Sequence, residues 1–396
     1  MAQRIDGHVD LAALALLGDQ PSADWLRLHR LLAAVDERRS NYEAAFAWLR
    51  DGMGRAADAD QAELARCYLL GAGIYFRQGA YGEALTWART GHTIAEQIGD
   101  LAVQAHALQL LGALGNDQGD FGASVPLLER ACALFEQINH ATGLSNALNN
   151  LGMAYLQLGR WRDTVRCYER SLEIGENVGD VQAMARTANN LAVVLVGRNE
   201  LERAAELYGY SSEQFGKIGS LLGAAVTRYN RGEVLLLQDR PSEALPLFNQ
   251  SIFALEQIGA RNFLSEVLRL AAEANLALGD YPAAERYAQR ALELANELGI
   301  AVEAAIAQRV LGQIALGCKD YALAAEQLAA SAAALEKLDN RYELGKTRRW
   351  LARLAQAVGQ FSQALELLRQ AEQLFYELDA QRDLAQVRAR LAELSG

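Results

Sequence analysis

The sequence predicts an all-α solenoid built from about eight helical hairpins and a final capping helix. A turn-forming residue recurs every 40 residues over most of the 396-residue chain. Between these turns, apolar residues recur at spacings of three and four, which is the helical period. Ala and Leu dominate the composition and there are only five prolines, which suits close-packed helices. The turn positions are Gly79, Gly119, Gly159, Asn199, Asp239, Gly279, Lys319 and Gly359.

Each 40-residue unit is predicted to contain a helix A, a short turn, a helix B and a second short turn. The first turn position usually holds Gly, Asn or Asp, which tolerate the left-handed conformation that ends a helix. A small residue follows five positions later and lets the two helix backbones approach each other. These small residues are Ala84, Ser124, Thr164, Ala204, Ala244, Ala284, Ala324 and Ala364. The second break recurs at Gly99, Gly179, Gly219, Gly259 and Gly299.

No single unit can bury its apolar face alone, so the stability of such an array comes from stacking neighbouring units. The predicted units are residues 61–98, 101–138, 141–178, 181–218, 221–258, 261–298, 301–338 and 341–378. Gln381 to Leu394 matches helix A alone and has a polar outer face, as a capping helix requires. We therefore expect residues 61–394 to form one superhelical domain.

Before residue 60 the pattern is weaker. Ala44 still keeps the 40-residue spacing with Ala84, which predicts a degenerate repeat at about 22–58 within an N-terminal helical segment, 1–58. Gly52 to Ala59 is the predicted flexible link to the array.

Composition excludes several classes of function. A formal net charge of −11 argues against nucleic acid and against anionic membrane surfaces, which are bound through clustered Lys and Arg. No apolar run approaches the roughly 20 residues of a membrane span. A signal peptide needs a basic segment before its apolar run, whereas Leu11 to Leu17 follows Asp10, so we expect no signal peptide here. The four scattered cysteines contain no CxxC pair, which favours a reducing, cytoplasmic location.

No catalytic, metal or cofactor site can be assembled from the sequence. Gly345-Lys346-Thr347 resembles the end of a phosphate-binding loop, but Asn340 stands where the first glycine is needed and no strand precedes it. The histidines lack HxxxH and HExxH spacing and are predicted to be solvated helix residues, whereas the cysteines are predicted to pack in the core. The histidines are His8, His29, His92, His106 and His140, and the cysteines are Cys67, Cys132, Cys167 and Cys318. We therefore expect a protein that is not an enzyme.

The repeat resembles the tetratricopeptide repeat. The pattern is clearest in the unit that begins near Ala147, at Leu151, Gly152, Tyr155, Gly159, Trp161, Tyr168 and Ser171. The usual unit has about 34 residues, and this longer version is similar to the repeats of kinesin light chain and of bacterial regulatory ATPases. The resemblance implies a right-handed α-α superhelix whose helices A line a concave groove.

The N-terminal segment is similar to the part of STAND-type regulators, relatives of the maltose activator, that precedes their sensor repeats. Trp25-Leu26, Asn41, Ala44-Ala45 and Trp48-Leu49 carry this likeness. The resemblance implies that the array is the ligand-sensing end of such a regulator, or a stand-alone relative.

A ladder of polar side chains on helix A is the first candidate site. Asn is a mediocre helix former, so its recurrence at one position requires a reason. The ladder consists of Asn146, Asn149, Asn150, Arg186, Asn189, Asn190 and Asn230. An amide offers both a donor and an acceptor, and could pair with the backbone of an extended peptide in the groove. The alternative is that each Asn bonds the neighbouring repeat and only fixes its stacking.

The same helix A surface becomes basic further along the chain. Arg269, Arg309 and Arg349 are equivalent by the 40-residue period to Asn149 and Asn189, and Lys346 and Arg353 lie nearby on the last of these helices. Because Arg offers a bidentate fork, they could form a pocket for a carboxylate or phosphate. The alternative is a solvated face whose charges compensate one another, with Glu233, Glu266 and Glu273 nearby.

Two functions are compatible with these patterns. The first is a scaffold that holds a protein or peptide segment in the concave groove, with added apolar area from Tyr155, Tyr229 and Trp350. The second follows from the STAND resemblance, and is a regulatory repeat domain that binds a small-molecule effector such as an oligosaccharide. A homodimer is compatible with either function.

Overall fold

A computed structural model of the chain describes residues 23–55, 60–378 and 380–395. All regular structure in these residues is helical, and consecutive helices pack as pairs. The predicted all-α class and the stacked hairpins are therefore confirmed. By internal contacts the described residues form two compact units, unit 1 up to Val194 and unit 2 from Leu195. None of the described helices is long and apolar enough to cross a bilayer.

Unit 1 contains the N-terminal hairpin, three predicted repeats and most of the next helix A. Its helices are α1 (Ala23–Arg38), α2 (Tyr42–Arg55), α3 (Gln61–Arg77), α4 (Tyr81–Ile98), α5 (Leu101–Asp117), α6 (Phe121–Gln137), α7 (Ala141–Gln157), α8 (Trp161–Val178) and α9 (Val181–Gly197), within which the boundary falls.

Unit 2 contains the remaining repeats and the capping helix. Its helices are α10 (Leu201–Lys217), α11 (Leu221–Leu237), α12 (Pro241–Gln257), α13 (Arg261–Ala277), α14 (Tyr281–Leu298), α15 (Ala301–Gly317), α16 (Tyr321–Lys337), α17 (Arg341–Ala357), α18 (Phe361–Glu377) and α19 (Gln381–Ser395).

The backbone confirms every predicted turn position. All eight residues of the first turn have positive φ, from 59° at Asp239 to 80° at Gly119 and Gly359. The five predicted glycines of the second break also have positive φ, between 67° and 71°. Asn139 and Asp339, which the glycine pattern missed, take the same conformation at φ 53° and 51°. Asn and Asp tolerate it because their short polar side chains can bond locally.

The small residues predicted five positions after the first turn are all fully buried. In each unit, helices A of successive hairpins contact one another, as α3 does α5 and α13 does α15. Helices B of successive hairpins make no comparable contact in the described part of the chain. Helices A therefore form the inner side of each unit, which we call its inner wall.

The N-terminal hairpin follows the repeat with a shift of one residue. Ser40 takes the positive φ of 60° that the 40-residue spacing assigns to position 39. Ala45 is consequently the fully buried small residue, whereas the predicted residue, Ala44, is only half-buried. Of the predicted flexible link, Gly52 to Arg55 belongs to helix α2, and residues 56–59 lie outside the described residues. The domain boundary at 58–61 stays a prediction.

The prediction that the histidines are solvated is wrong for His29. This side chain is 1% exposed, and its ring lies 4.3 Å from the ring of Trp25. Its Nδ1 bonds the carbonyl oxygen of Trp25 at 2.9 Å, and its Nε2 lies 3.0 Å from Asp51 Oδ2. His29 is thus a core residue with both ring nitrogens satisfied. His8 lies outside the described residues.

Three of the four cysteines pack in the core, as predicted. Cys67, Cys132 and Cys167 are buried, whereas Cys318 is exposed, so the prediction is wrong for this residue. Burial raises the pKa of the Cys67 and Cys132 thiols to about 12 and that of Cys167 to about 11. The three buried thiols therefore stay protonated and unreactive at neutral pH.

Candidate binding surface

A cavity of about 540 Å³ opens on the inner wall of unit 1. Helices α3 and α5 supply most of its lining, and α1 and α7 close its ends. Its lining residues are Arg30, Arg66, Leu69, Leu70, Ala102, Val103, His106, Gln109, Leu110, Ala113, His140 and Asn150. An apolar lining with a few convergent polar groups is typical of ligand sites. Of the predicted ladder residues, Asn150 lies in this cavity.

A network of ion pairs forms one edge of the cavity. Glu63 Oε2 accepts from Arg30 Nε at 2.8 Å, and Glu63 Oε1 accepts from Arg66 at 2.8 Å. Burial of Glu63 would raise its pKa, but Arg30 and Arg66 lower it below its ordinary value. Arg66 also reaches Asp100 Oδ2 at 3.0 Å, while Oδ1 of Asp100 caps helix α5 by accepting from the Val103 amide. The two arginines are therefore held in place by the buried carboxylate of Glu63, and Arg66 also by the half-buried carboxylate of Asp100.

Two histidines face each other in the same cavity. The ring of His106 lies 5.3 Å from that of His140 and 5.0 Å from that of Phe135. Desolvation lowers the pKa of His106, and His140 and Arg66 lower it further. His140 Nδ1 accepts from the Gly143 amide at 3.0 Å and thereby caps helix α7. The His106 ring is therefore neutral at pH 7, and it presents a polar edge without charge.

The asparagine ladder divides into two groups. Asn149 is buried, and its Nδ2 donates to Thr187 Oγ1 on helix α9 at 3.0 Å. Its Oδ1 accepts from Asn190 at 3.4 Å, and Asn190 Oδ1 accepts from Asn189 at 3.2 Å. Asn149 therefore joins two successive helices A, as the stacking alternative requires. Asn150 is half-buried and faces the cavity instead.

Several buried polar atoms on this wall have no partner. Arg186 donates to Asn146 Oδ1, but its Nε is buried and makes no hydrogen bond within the described residues. The same holds for Oδ1 of Asn189 and Oδ1 of Asn116, whose amide nitrogen donates to the Asn150 carbonyl at 2.9 Å. Burial also lowers the pKa of Arg186. A buried polar atom without a partner costs about 1–3 kcal/mol, so these positions favour a ligand that supplies the missing bonds.

The arginine ladder of unit 2 is fully engaged in ion pairs. Each guanidinium bonds a carboxylate in the first turn of the next helix A, 34 residues further on. The pairs are Arg269 with Glu303 at 3.0 Å, Arg309 with Glu343 at 2.5 Å and Arg349 with Asp383 at 2.6 Å. Arg269 also donates to Glu273 at 3.0 Å. This geometry fits the alternative of compensating charges, because little donor capacity remains for a ligand.

The three aromatic side chains that were predicted to contact a partner are buried or half-buried. Tyr155 is 4% exposed and donates to Glu129 on helix α6, on the side away from the inner wall. Tyr229 is 3% exposed and donates to Glu266 at 3.0 Å. Trp350 is half-buried beneath the guanidinium of Arg353. Asn230 belongs to unit 2 and is half-buried.

Some residues of the cavity were missed, although the sequence contains a signal for them. Arg66 and His106 precede Asn146 and Arg186 at the same 40-residue spacing, and Gln109 is equivalent to Asn149. Extending the polar ladder two units towards the N-terminus would have found them. Arg30 could not be found in this way, because α1 departs from the register of the array.

The repeats can be assigned from comparison with known proteins. Residues 143–211 and 223–297 match the family model of the tetratricopeptide repeat. In these two segments the chain matches tetratricopeptide repeats. A search of curated protein sequences finds no significant match.

Solved structures share the repeat fold at low sequence identity. Apo RapI is similar with a TM-score of 0.75 and 12% identity, over 90% of this chain and 98% of that one. The apo form of the quorum sensor NprR from B. thuringiensis has a TM-score of 0.66 and 15% identity, over 93% and 99%. A STAND protein with a tetratricopeptide repeat sensor from Pyrococcus horikoshii has a TM-score of 0.55 and 14% identity, over 99% and 66%. The chain thus shares the tetratricopeptide-like repeat fold.

Proposed function

We propose that the inner wall of unit 1 binds an extended segment of a protein or peptide. The observation that carries this proposal is the pair of buried, unpartnered atoms Arg186 Nε and Asn189 Oδ1, on the wall that also contains the cavity. One is a donor and the other an acceptor, which is the combination that a peptide unit satisfies. Such groups are rare in native proteins, and a bound peptide unit would explain both of them.

The proposal assigns different roles to the two groups of asparagines. Asn150 and Asn189 contact the partner, because one lies in the cavity and the other has an unsatisfied oxygen. Arg186 adds a third contact through Nε, with Asn146 fixing its orientation. Asn149 fixes the stacking of α7 on α9 through Thr187. The arginines of unit 2 are positioning groups for their own repeats, and take no part in this binding.

The likeness to sensor proteins supports a peptide partner. NprR is described as a quorum sensor, and a Rap protein has been solved with the competence and sporulation factor. That complex is similar to this chain with a TM-score of 0.51 and 14% identity. At such identities the likeness concerns the fold, so it is the unpartnered atoms of this chain that favour a peptide.

Replacement of the partner-facing asparagines should weaken peptide binding. A phage-displayed library of random peptides is selected on the full chain, and a selected peptide is labelled for fluorescence anisotropy. We expect Asn150→Ala and Asn189→Ala each to weaken its binding about fivefold, the value of one net hydrogen bond. Asn296→Ala, an exposed asparagine in unit 2, is the matched control and should leave the affinity unchanged. Equal affinity of all three variants would contradict the proposal.

Asn149→Ala should instead reduce stability. Its removal takes the donated bond from the Thr187 hydroxyl, which keeps its contact with Ser171 at 3.2 Å, and leaves the Asn190 amide without its acceptor. We expect a loss of about 1–3 kcal/mol in the free energy of unfolding, measured by thermal and urea denaturation. Asn150→Ala should unfold like the parent protein. If the melting temperature of Asn150→Ala were also lower by several degrees, the asparagines of both groups would stabilise the packing of neighbouring repeats.

The cavity supports a second candidate function, a repeat sensor for a small-molecule effector. Its volume of about 540 Å³ lies in the range of small-ligand sites, and the STAND protein named above shares the fold. Thermal denaturation with panels of oligosaccharides and of peptides separates the two functions. A rise in melting temperature with a sugar alone would favour the sensor, and a rise with peptides alone would favour the scaffold.

A further inference from the structure

A second cavity, of about 880 Å³, lies in unit 2 at the C-terminal end of the described chain. Helices α17 and α19 supply its polar side chains, and α18 contributes Leu368 to its apolar floor. Its lining residues are Arg349, Ala352, Arg353, Gln356, Ala357, Leu368, Gln386, Val387, Ala389, Arg390 and Glu393. Three arginines from two helices therefore converge on one opening.

Only one of these arginines lacks a carboxylate partner within the described residues. Arg349 bonds Asp383 at 2.6 Å, and Arg390 bonds Glu393 at 2.5 Å. Arg353 has no ion pair there, and its guanidinium carbon lies 4.3 Å from the ring centroid of Trp350. A ring face holds a guanidinium in place without using its N–H donors. Arg353 is thus fixed, with its donor fork available.

A second donor lies on the same side of α17. Gln356 Oε1 accepts from Arg390 at 2.7 Å, which leaves its Nε2 as the free end of the amide. That nitrogen is buried and has no partner among the described residues. The polar groups still available here, Arg353 and the Gln356 amide, both donate hydrogen bonds. A group that only accepts hydrogen bonds is therefore the complementary ligand.

The electrostatics of the cavity favour the same kind of ligand. Desolvation of the Arg353 guanidinium by the groups around it lowers its pKa, and the positive charges of Arg349 and Arg390 lower it further. A cation destabilised by other cations is stabilised when an anion enters. Gln386 and Glu393 also line the cavity, and they bond Arg349 and Arg390. Ala352, Leu368 and Val387 form an apolar part of the wall, which suits a hydrocarbon body.

We propose that this cavity binds an organic oxyanion, a carboxylate or phosphate group attached to an apolar body. The oxyanion bonds the Arg353 guanidinium and the Gln356 amide, and the apolar part contacts Leu368 and Val387. This site differs from the surface of unit 1 in its residues, its charge and its ligand. If no oxyanion bound in this cavity, the proposed peptide binding by unit 1 would be unaffected.

Binding of simple probes to the full chain tests this site. Octanoate and octyl phosphate carry the two oxyanions on one apolar body, inorganic phosphate lacks the body, and octan-1-ol lacks the charge. We expect calorimetric binding of octanoate or octyl phosphate, and a loss of at least about tenfold in affinity in Arg353→Gln, the scale of a charge-assisted bond. Whichever probe binds more tightly identifies the oxyanion.

The matched control is Arg286→Gln, which removes one exposed arginine from helix α14, far from the cavity in sequence. Its affinity should equal that of the parent protein. Because Arg353 is exposed, Arg353→Gln should retain the parent melting temperature, so that any loss of binding is local. The inference is overturned if neither alkyl anion binds, if octan-1-ol binds as tightly as they do, or if the two glutamine variants bind equally well.

Discussion

Glu343→Gln should lower the free energy of unfolding of unit 2 by about 3 kcal/mol at pH 7, the scale of a broken buried ion pair. Arg309 is 2% exposed and bonds Glu343 Oε2 at 2.5 Å. Lys346 donates to the other oxygen of this carboxylate at 3.1 Å. The variant keeps the shape of the side chain but removes its charge, so Arg309 stays buried without a counter-ion.

The effect should disappear in acid. Burial would raise the pKa of Glu343, but Arg309 and Lys346 lower it from 4.5 to about 2. A carboxyl with a lowered folded-state pKa stabilises the protein fully above its unfolded-state value, and loses that contribution as the pH falls through the folded-state pKa. The difference between parent and variant should therefore be constant above about pH 5 and shrink towards pH 2. Urea denaturation of both proteins across this pH range measures the difference, and hydrogen exchange of the amides in α17 assigns it to this helix.

An exposed ion pair that also joins neighbouring repeats provides the control. Glu297 pairs with Arg261, 36 residues away, and their side chains are 61% and 54% exposed. Because solvent screens such pairs, Glu297→Gln should change stability by less than about 1 kcal/mol. A similar loss in both variants, or a difference that persists at pH 2, would mean that the Arg309–Glu343 pair is not the cause.

The turns were predictable from the sequence because their cause is local. A positive φ selects Gly, Asn or Asp at a single position, whatever the neighbouring helices do. The 40-residue spacing therefore placed Gly79 and Asp239 correctly, and even Lys319 at φ 63°. The same rule failed by one residue at Ser40, because 39 rather than 40 residues separate this turn from the next one, at Gly79.

The partners of the polar ladders could not be predicted in the same way. The spacing aligned Arg309 with Asn149, but what each bonds depends on the neighbouring helix A. Arg309 reaches 34 residues ahead to a carboxylate in the first helical turn, whereas Asn149 reaches 38 residues ahead to Thr187. These offsets follow from the rise and rotation between successive hairpins. The 40-residue period of the sequence does not give these two quantities. Sequence thus identified the inner wall, but not which of its side chains are already satisfied.

Cavities were beyond prediction for a related reason. The cavity of unit 1 exists because Arg30 of the N-terminal hairpin and His140 at a helix start meet residues of α3 and α5. Neither Arg30 nor His140 belongs to the repeating ladder. The cavity of unit 2 likewise depends on where α19 lies against α17. Empty space is a property of several packed elements together, so a pattern along one chain segment does not contain it.

Gly152→Ala should lower the free energy of unfolding by about 1–3 kcal/mol, the usual cost of overpacking a core. A Cβ at this position of helix α7 would lie 2.6 Å from Cε1 of Tyr168, a ring of helix α8 that is only 1% exposed. Gly216→Ala is the control, since a Cβ there meets open space in helix α10. It should stabilise by up to about 1 kcal/mol through helix propensity.

The chain itself contains the combination that should restore packing. In the last repeat, Ala352 and Leu368 occupy the positions of Gly152 and Tyr168, and both are buried in one apolar cluster. We therefore expect Gly152→Ala with Tyr168→Leu to be more stable than the sum of the two single changes predicts. Thermal and urea denaturation of the four proteins gives the coupling free energy. If the two changes are additive, the Tyr168 ring is not what opposes the added methyl group, and helix α8 moves away to make room for it. The close approach of helices α7 and α8 would then not depend on Gly152.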